Sequence, residues 1–171
     1  MSQVAVGKLF ETYGSKAYGV ALGILRNEQD AKDATQESFV LAIRSLHRYD
    51  RDRPFYPWLY RIVRNHCIDR IRRRREYATD PSTFVLPDTA LSPEGNVAQQ
   101  QTSLAVQLAI KTLSEPHREI LFLRHFQDLS YPEIADALGV AEGTVMSRLY
   151  RARRSLVQAM RRQGWQNSEA V

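Results

Sequence analysis

The chain has 171 residues, a formal net charge of +5 and a single cysteine, Cys67. One cysteine excludes an internal disulfide and any zinc cluster built from thiols, and the basic balance favours a polyanionic partner. No apolar run approaches a membrane span and the amino terminus lacks the basic-then-apolar pattern of a secretion signal, so the expectation is a soluble intracellular protein without membrane insertion.

Helical periodicity dominates and no strand alternation is evident. The first expected helices run from Val4 to about Leu25, from Glu28 to Leu46 and from Pro57 to Arg74. On the second, Asp30, Asp33 and Glu37 repeat in steps of three and four beside Gln36, an acidic stripe on one face. Ala31, Phe39, Ala42, Ile43 and Leu46 are left for the core. Such a stripe is either a docking face for a basic protein or a solvated helix face.

The segment from His47 to Trp58 is expected to be a loop, by its prolines and lack of periodicity. It holds Tyr49, Phe55, Tyr56 and Trp58 among Arg48, Arg51 and Arg53. Aromatic faces next to cations suit single-stranded nucleic acid, which offers bases to stack and phosphates to pair. Taken singly, an aromatic such as Trp58 or Tyr60 reads sooner as a core residue. The helix that follows buries Leu59, Ile62, Val63, Cys67 and Ile71, turns Arg61, Arg64, Asn65 and Arg72 elsewhere, and ends in the phosphate-seeking run Arg72-Arg73-Arg74-Arg75.

From Tyr77 to Gly95 the pattern breaks around Pro81, Pro87 and Pro93, as in a flexible linker. Ser92-Pro93-Glu94 resembles a helix start, a helix is expected from Val97 to Leu113, and Ser114-Glu115-Pro116 caps another to about Phe126. Next comes the stretch Leu129 to Leu156. Ser130 and Glu133 form an S-x-x-E capping box, Pro132 falls in the first turn, and Ile134, Ala135 and Leu138 face inward. Gly139 stands where the helix must stop and reverse. In the last helix Val145, Leu149, Ala152, Leu156 and Ala159 form one apolar stripe. Thr144, Ser147, Arg148, Arg151 and Arg154 fall off it. This is the pattern of a helix-turn-helix whose second helix enters a DNA groove; the plainer reading is a helical hairpin with a solvated basic face.

The expected fold is all-α: two small helical domains over 1–76 and 96–163, a flexible linker over 77–95 and a tail over 164–171. Nothing in the pattern sets the orientation of one domain to the other. No P-loop, H-E-x-x-H, G-x-S-x-G or dinucleotide fingerprint occurs, and His47, His66, His117 and His125 form no ligand-spaced cluster. The chain reads as a binding protein rather than an enzyme, with no metal or cofactor expected.

Two motif sets in one order carry a family resemblance. The run from Asp30 to Phe39 with that from Phe55 to Asn65 resembles the polymerase-binding and promoter-opening domain of bacterial sigma factors. The run from Leu113 to Arg124 with the helix-turn-helix resembles their fourth domain. With nothing large between them, the chain is similar to the minimal two-domain group, the extracytoplasmic-function (ECF) sigma factors, from about Leu9 to Met160. The resemblance implies that Asp30, Asp33, Gln36 and Glu37 grip the β′ clamp helices of core RNA polymerase. It implies that the loop from His47 to Tyr56, starting at Tyr49, captures a flipped base of the minus-ten element. Arg51, Arg53, Phe55, Trp58, Arg61, Asn65, Arg72, Arg73 and Arg74 would serve that melted strand. Thr144, Ser147, Arg148, Arg151 and Arg154 would read the minus-thirty-five element as duplex. The fourth domain would also pack on the β flap, the linker would thread toward the RNA exit path, and an anti-sigma factor would hold the protein inactive in the cytoplasm.

Three positions depart from the family pattern. Lys32 stands where an acid is common, Met146 where Lys or Arg is common, and Ala141 is a poor helix cap. A free-standing helix-turn-helix regulator would explain the second half alone, leaving the acidic stripe and the aromatic-arginine loop without a role. An RNA-binding or scaffold module would use the arginine clusters only.

Overall fold

Three helices build the first half: α1 (Gln3–Leu25), α2 (Glu28–Ser45) and α3 (Phe55–Arg75). Four build the second: α4 (Val97–Lys111), α5 (Glu115–His125), α6 (Tyr131–Leu138) and α7 (Glu142–Arg162). The computed structural model describes the backbone of residues 3–75 and 97–164 and the side chains of 7–74 and 104–164. The expected linker over 77–95, the helix start at Ser92-Pro93-Glu94 and all but the first residue of the expected tail lie outside the described residues.

The α1–α2 joint is tight because two residues finish one helix and start the next. Arg26 takes a left-handed φ of 55° and donates its N–H to the Leu22 carbonyl at 2.9 Å. The Asn27 side chain then accepts the N–H of Asp30, capping α2. The face that α2 buries is built largely from small residues: Ala31, Ala34, Thr35, Ser38 and Ala42, with Phe39. Thr35 and Ser38 donate back to the carbonyls of Ala31 and Ala34, both at 2.6 Å, so their burial strands no hydroxyl. Small side chains let α1, α2 and α3 pack each against the other two. Ala17, Val20, Ala21 and Ile24 meet Leu59, Val63 and Cys67 in the middle.

The start of α3 differs from the sequence expectation. Phe55 and Tyr56, expected in the loop, form the first turn of the helix. Pro57 and the preceding Pro54 broke the periodicity but not the helix, because a proline in the first turn forfeits no intrahelical bond. Before that turn a single 3-10 turn, Leu46–Arg48, finishes α2.

In the second half the capping box is complete: Ser130 Oγ accepts the N–H of Glu133, and Glu133 accepts the N–H of Ser130 at 2.8 Å. Gly139 ends α6 at φ 67°, ψ 39°, the left-handed conformation that costs glycine nothing. Ile134 and Ala137 are the buried residues of α6, with Ala135 and Leu138 half-buried beside them. Along α7, Val145, Leu149, Ala152 and Ala159 are buried as their spacing predicts. Ser114 and Ala141 both start helices without a side-chain cap bond.

The two halves do not stand apart. Helix α3 lies against α6, and the buried residues of α1–α3 and α5–α7 form one continuous apolar cluster. Halves this small each gain from covering apolar surface on the other.

Candidate nucleic-acid and polymerase interface

The exposed side of α7 carries the expected polar row. Ser147, Arg151 and Arg154 are exposed, and Thr144 and Arg148 are half-buried at its edge. Their mutual bonds are weak and local: Ser147 Oγ donates to the Thr144 carbonyl at 3.1 Å and Arg151 Nε to the Ser147 carbonyl at 3.3 Å. The row is therefore held in register but keeps donors for another molecule. Met146 is 56 % exposed in the same row. Tyr150, which the periodicity argument passed over, is exposed too, with the Arg154 guanidinium 5.8 Å from its ring centre. It could have been found as an aromatic lying off the apolar stripe. Beside this face burial lowers the pKa of His117, and the charges of Arg151 and Arg148 lower it further.

The loop before α3 is folded on itself. Asp50 accepts the N–H of Asp52 at 3.1 Å, its carbonyl accepts the N–H of Arg53 at 3.2 Å, and the Tyr49 hydroxyl donates to the Arg53 carbonyl. The rings of Tyr49, Phe55 and Trp58 meet in a triad, their centres 5.1–5.5 Å apart. Such spacing is the range of tilted and edge-on aromatic pairs. Against the triad lies an open cavity of about 220 Å³, walled by Arg48, Tyr49, Asp50, Arg53, Pro54, Pro57, Trp58, Arg61 and Asp136. Burial, followed by Tyr13 and Asp50, raises the pKa of the Tyr49 hydroxyl, keeping it a neutral donor. Arg51 is exposed at the loop tip. Tyr56 and Tyr60 are not part of the open surface. Tyr60 is 1 % exposed and burial drives its hydroxyl well above the usual tyrosine range.

The acidic stripe is not a bare negative face. Asp30, 15 % exposed, accepts from both Arg74 nitrogens at 2.7 and 2.8 Å and from Arg70 at 3.3 Å. Glu37 accepts from His66 at 2.7 Å and from Arg70 at 3.5 Å, and Arg70 lies 4.0 Å from Asp33. The cationic end of α3 lies along the acidic face of α2, a pairing between segments some 40 residues apart. Gln36 and the outer half of Glu37 remain exposed. Where α2 and α3 meet, a groove collects Leu41, Ile62, Asn65, His66, Asp69, Arg70 and Arg73. Asn65 and Arg73 are thus brought together, Arg72 reaches Asp69 at 4.0 Å, and Arg74 is turned toward α2.

The Arg74 hydrogen bond, the largest favourable influence, holds the Asp30 carboxyl below its ordinary value. A depressed carboxylate pKa contributes stability above its unfolded value and loses it as pH falls through the folded one. Asp30→Asn should therefore lower the urea midpoint at neutral pH. Its difference from the wild type should shrink as pH falls through about 4 and below, measured by circular dichroism across that range.

Among the described residues no group of three or more His, Cys, Asp or Glu is placed to hold a metal ion, and no helix is long and apolar enough to cross a membrane.

The chain has two surfaces of different chemistry, a basic helix-turn-helix row and an aromatic-arginine cavity, and known proteins share both segments. Residues 9–77 match the family described as Sigma-70 region 2, and residues 103–156 match Sigma-70, region 4. The RNA polymerase sigma-H factor of Pseudomonas aeruginosa is 35 % identical over 158 residues, covering 86 % of this chain and 82 % of the relative. The ECF RNA polymerase sigma factor SigW of Bacillus subtilis is 31 % identical over 170 residues, covering 93 % and 90 %. Among solved structures, CnrH in complex with the cytosolic domain of CnrY superposes with a TM-score of 0.65 at 28 % identity, covering 92 % of this chain and 88 % of that one. On these matches, the chain belongs to the ECF sigma factors of RNA polymerase.

Proposed function

We propose that this sigma factor reads promoters at two points, the minus-thirty-five element as duplex through α7 and the minus-ten element as melted strand through the Tyr49–Trp58 surface. The observation that carries this reading is the pairing of two unlike surfaces in one chain. A row of Thr144, Ser147, Arg148, Arg151 and Arg154 suits groove edges and phosphates. The ring triad beside Arg53 and Arg61 suits a splayed base and its backbone. Asn65, Arg72 and Arg73 extend that surface along α3, Phe55 is one of its three rings, and Arg51 borders it.

In the same reading Asp33, Gln36 and Glu37 dock on the β′ clamp helices, with Asp30 keeping the α2 face in place through Arg74. The second half packs on the β flap. The working units are 1–76 and 96–163, with 77–95 as tether, acting in the cytoplasm on nucleoid-bound polymerase. An anti-sigma factor is the proposed negative regulator; the relative CnrH, solved with the cytosolic domain of another protein, supports a partner of that kind. The protein performs no chemical step. It lowers the cost of strand separation by binding the separated strand.

Run-off transcription with core polymerase on a genomic promoter library tests the reading. Specific starts that need both the chain and core polymerase are expected. Tight operator binding by the chain alone, with no starts, would instead identify a free-standing regulator. On the promoters recovered, Arg148→Ala should weaken binding of the minus-thirty-five duplex by about 1–3 kcal/mol and relax its sequence preference, read by competition gel shift.

A further inference from the structure

The face that α7 turns away from the core is polar except along one flank. Thr144, Ser147, Arg148, Arg151 and Arg154 bring hydroxyls and guanidinium groups to it. Met146 and Tyr150 stand beside them, one helical turn apart, at 56 % and 61 % exposed. Val157, the next large apolar residue exposed on α7, lies two turns farther on. Met146 is the fifth residue of the helix. That places it in the N-terminal stretch that meets base edges when such a helix lies in the major groove. Gly143, one turn earlier, has open space where a side chain would stand, so a groove edge can approach the helix closely beside Met146.

The groove leaves a side chain of this kind few options. Guanine presents N7 and O6 as acceptors, adenine N7 and an amino donor, cytosine an amino donor, and thymine the O4 acceptor with a C5 methyl group. A thioether has no proton to donate and is a weak acceptor. Against guanine it would strip water from two acceptors and return no hydrogen bond, the costly arrangement. Against thymine it covers the one apolar group that the groove exposes.

We propose that Met146, flanked by the Tyr150 ring, is a specificity-determining residue. It reads the C5 methyl group of one thymine in the minus-thirty-five element and rejects guanine at that position. This rests on the reading of α7 as the duplex-binding helix. The neighbouring hydroxyls and guanidinium groups then set register on phosphates and polar base edges, and Met146 adds a preference that no hydrogen bond carries.

The test uses holoenzyme assembled from the full-length chain and core polymerase, with minus-thirty-five duplexes taken from the promoters it recovers. Each thymine of both strands is replaced in turn by deoxyuridine, which removes the methyl group and leaves every hydrogen-bonding edge. Competition binding should show one position at which deoxyuridine weakens binding about three- to fivefold, the worth of one buried methyl group. Met146→Ala should abolish the penalty at that position, and Met146→Leu should keep it. Met146→Lys supplies a donor and should turn the preference at the same position from thymine to guanine. A penalty that Met146→Ala leaves intact, or no deoxyuridine penalty at any position, would overturn the proposal. If Arg148→Ala still weakens binding in that case, α7 remains the duplex reader. Duplex binding indifferent to Met146→Ala, Arg148→Ala and Arg151→Ala alike would overturn both readings.

Discussion

Tyr49→Ala is expected to slow initiation from a fully duplex promoter by about 5- to 100-fold, with a smaller loss on a template already melted over the minus-ten element. The size follows from base-on-ring stacking, worth about 1–3 kcal/mol per base, set against a flipping cost of a few kcal/mol. A pre-melted template has already met most of that cost, so the two templates should separate. The fold should tolerate the change, because Tyr49 is half-buried in a loop and its ring leans on Phe55 and Trp58 rather than filling the core. Tyr49→Phe isolates the ring from the hydroxyl, which donates only to the Arg53 carbonyl, and should keep most activity. Run-off rates on the paired templates measure all of this. Equal losses on both for Tyr49→Ala would remove Tyr49 from strand capture.

Leu149→Ala should have the largest effect on stability. Leu149 is 1 % exposed in the stripe by which α7 packs on α5 and α6. Truncating a buried leucine costs about 2–5 kcal/mol, as lost burial plus the cavity left behind. A small helical domain has only a few kcal/mol in total, so this half should lose cooperative unfolding in urea, and duplex binding with it. Arg151, two residues along and on the opposite face, provides the contrast. Arg151→Ala should leave the urea midpoint within about 0.5 kcal/mol of wild type while weakening duplex binding. Urea titration and gel shift on the two variants separate folding from recognition.

The local rules were legible because each was written within a few residues. Ser130 with Glu133 fixed the start of α6, Gly139 its end, and the steps from Val145 to Ala159 the buried face of α7. The first turn of α3 was misjudged because Pro54 and Pro57 interrupt the pattern while obeying the geometry of a helix start. The contacts between elements were not legible. Arg74 pairs with Asp30 across 44 residues, Tyr60 with Glu119 across 59, and Arg53 with Asp136 across 83. Each of these residues carries a surface-like charge or a core-like ring in its own segment, and only the fold reveals its partner. The acidic stripe thus looked like an open docking face when its inner member, Asp30, was already satisfied. Likewise the aromatic-arginine segment announced its chemistry but not that Tyr56 and Tyr60 would be spent on holding the other half.

Cys67 has a consequence for how signals can reach this protein. It is fully buried on α3, and burial pushes its thiol up to about 12. At neutral pH the thiolate, the form that oxidants and alkylating agents attack, is therefore strongly disfavoured. An oxidant therefore finds no reactive thiol in this chain, whose one cysteine is Cys67. The same inertness makes the native chain a clean background for bioconjugation: a cysteine introduced on each half would take up dye or spin label while Cys67 stayed silent.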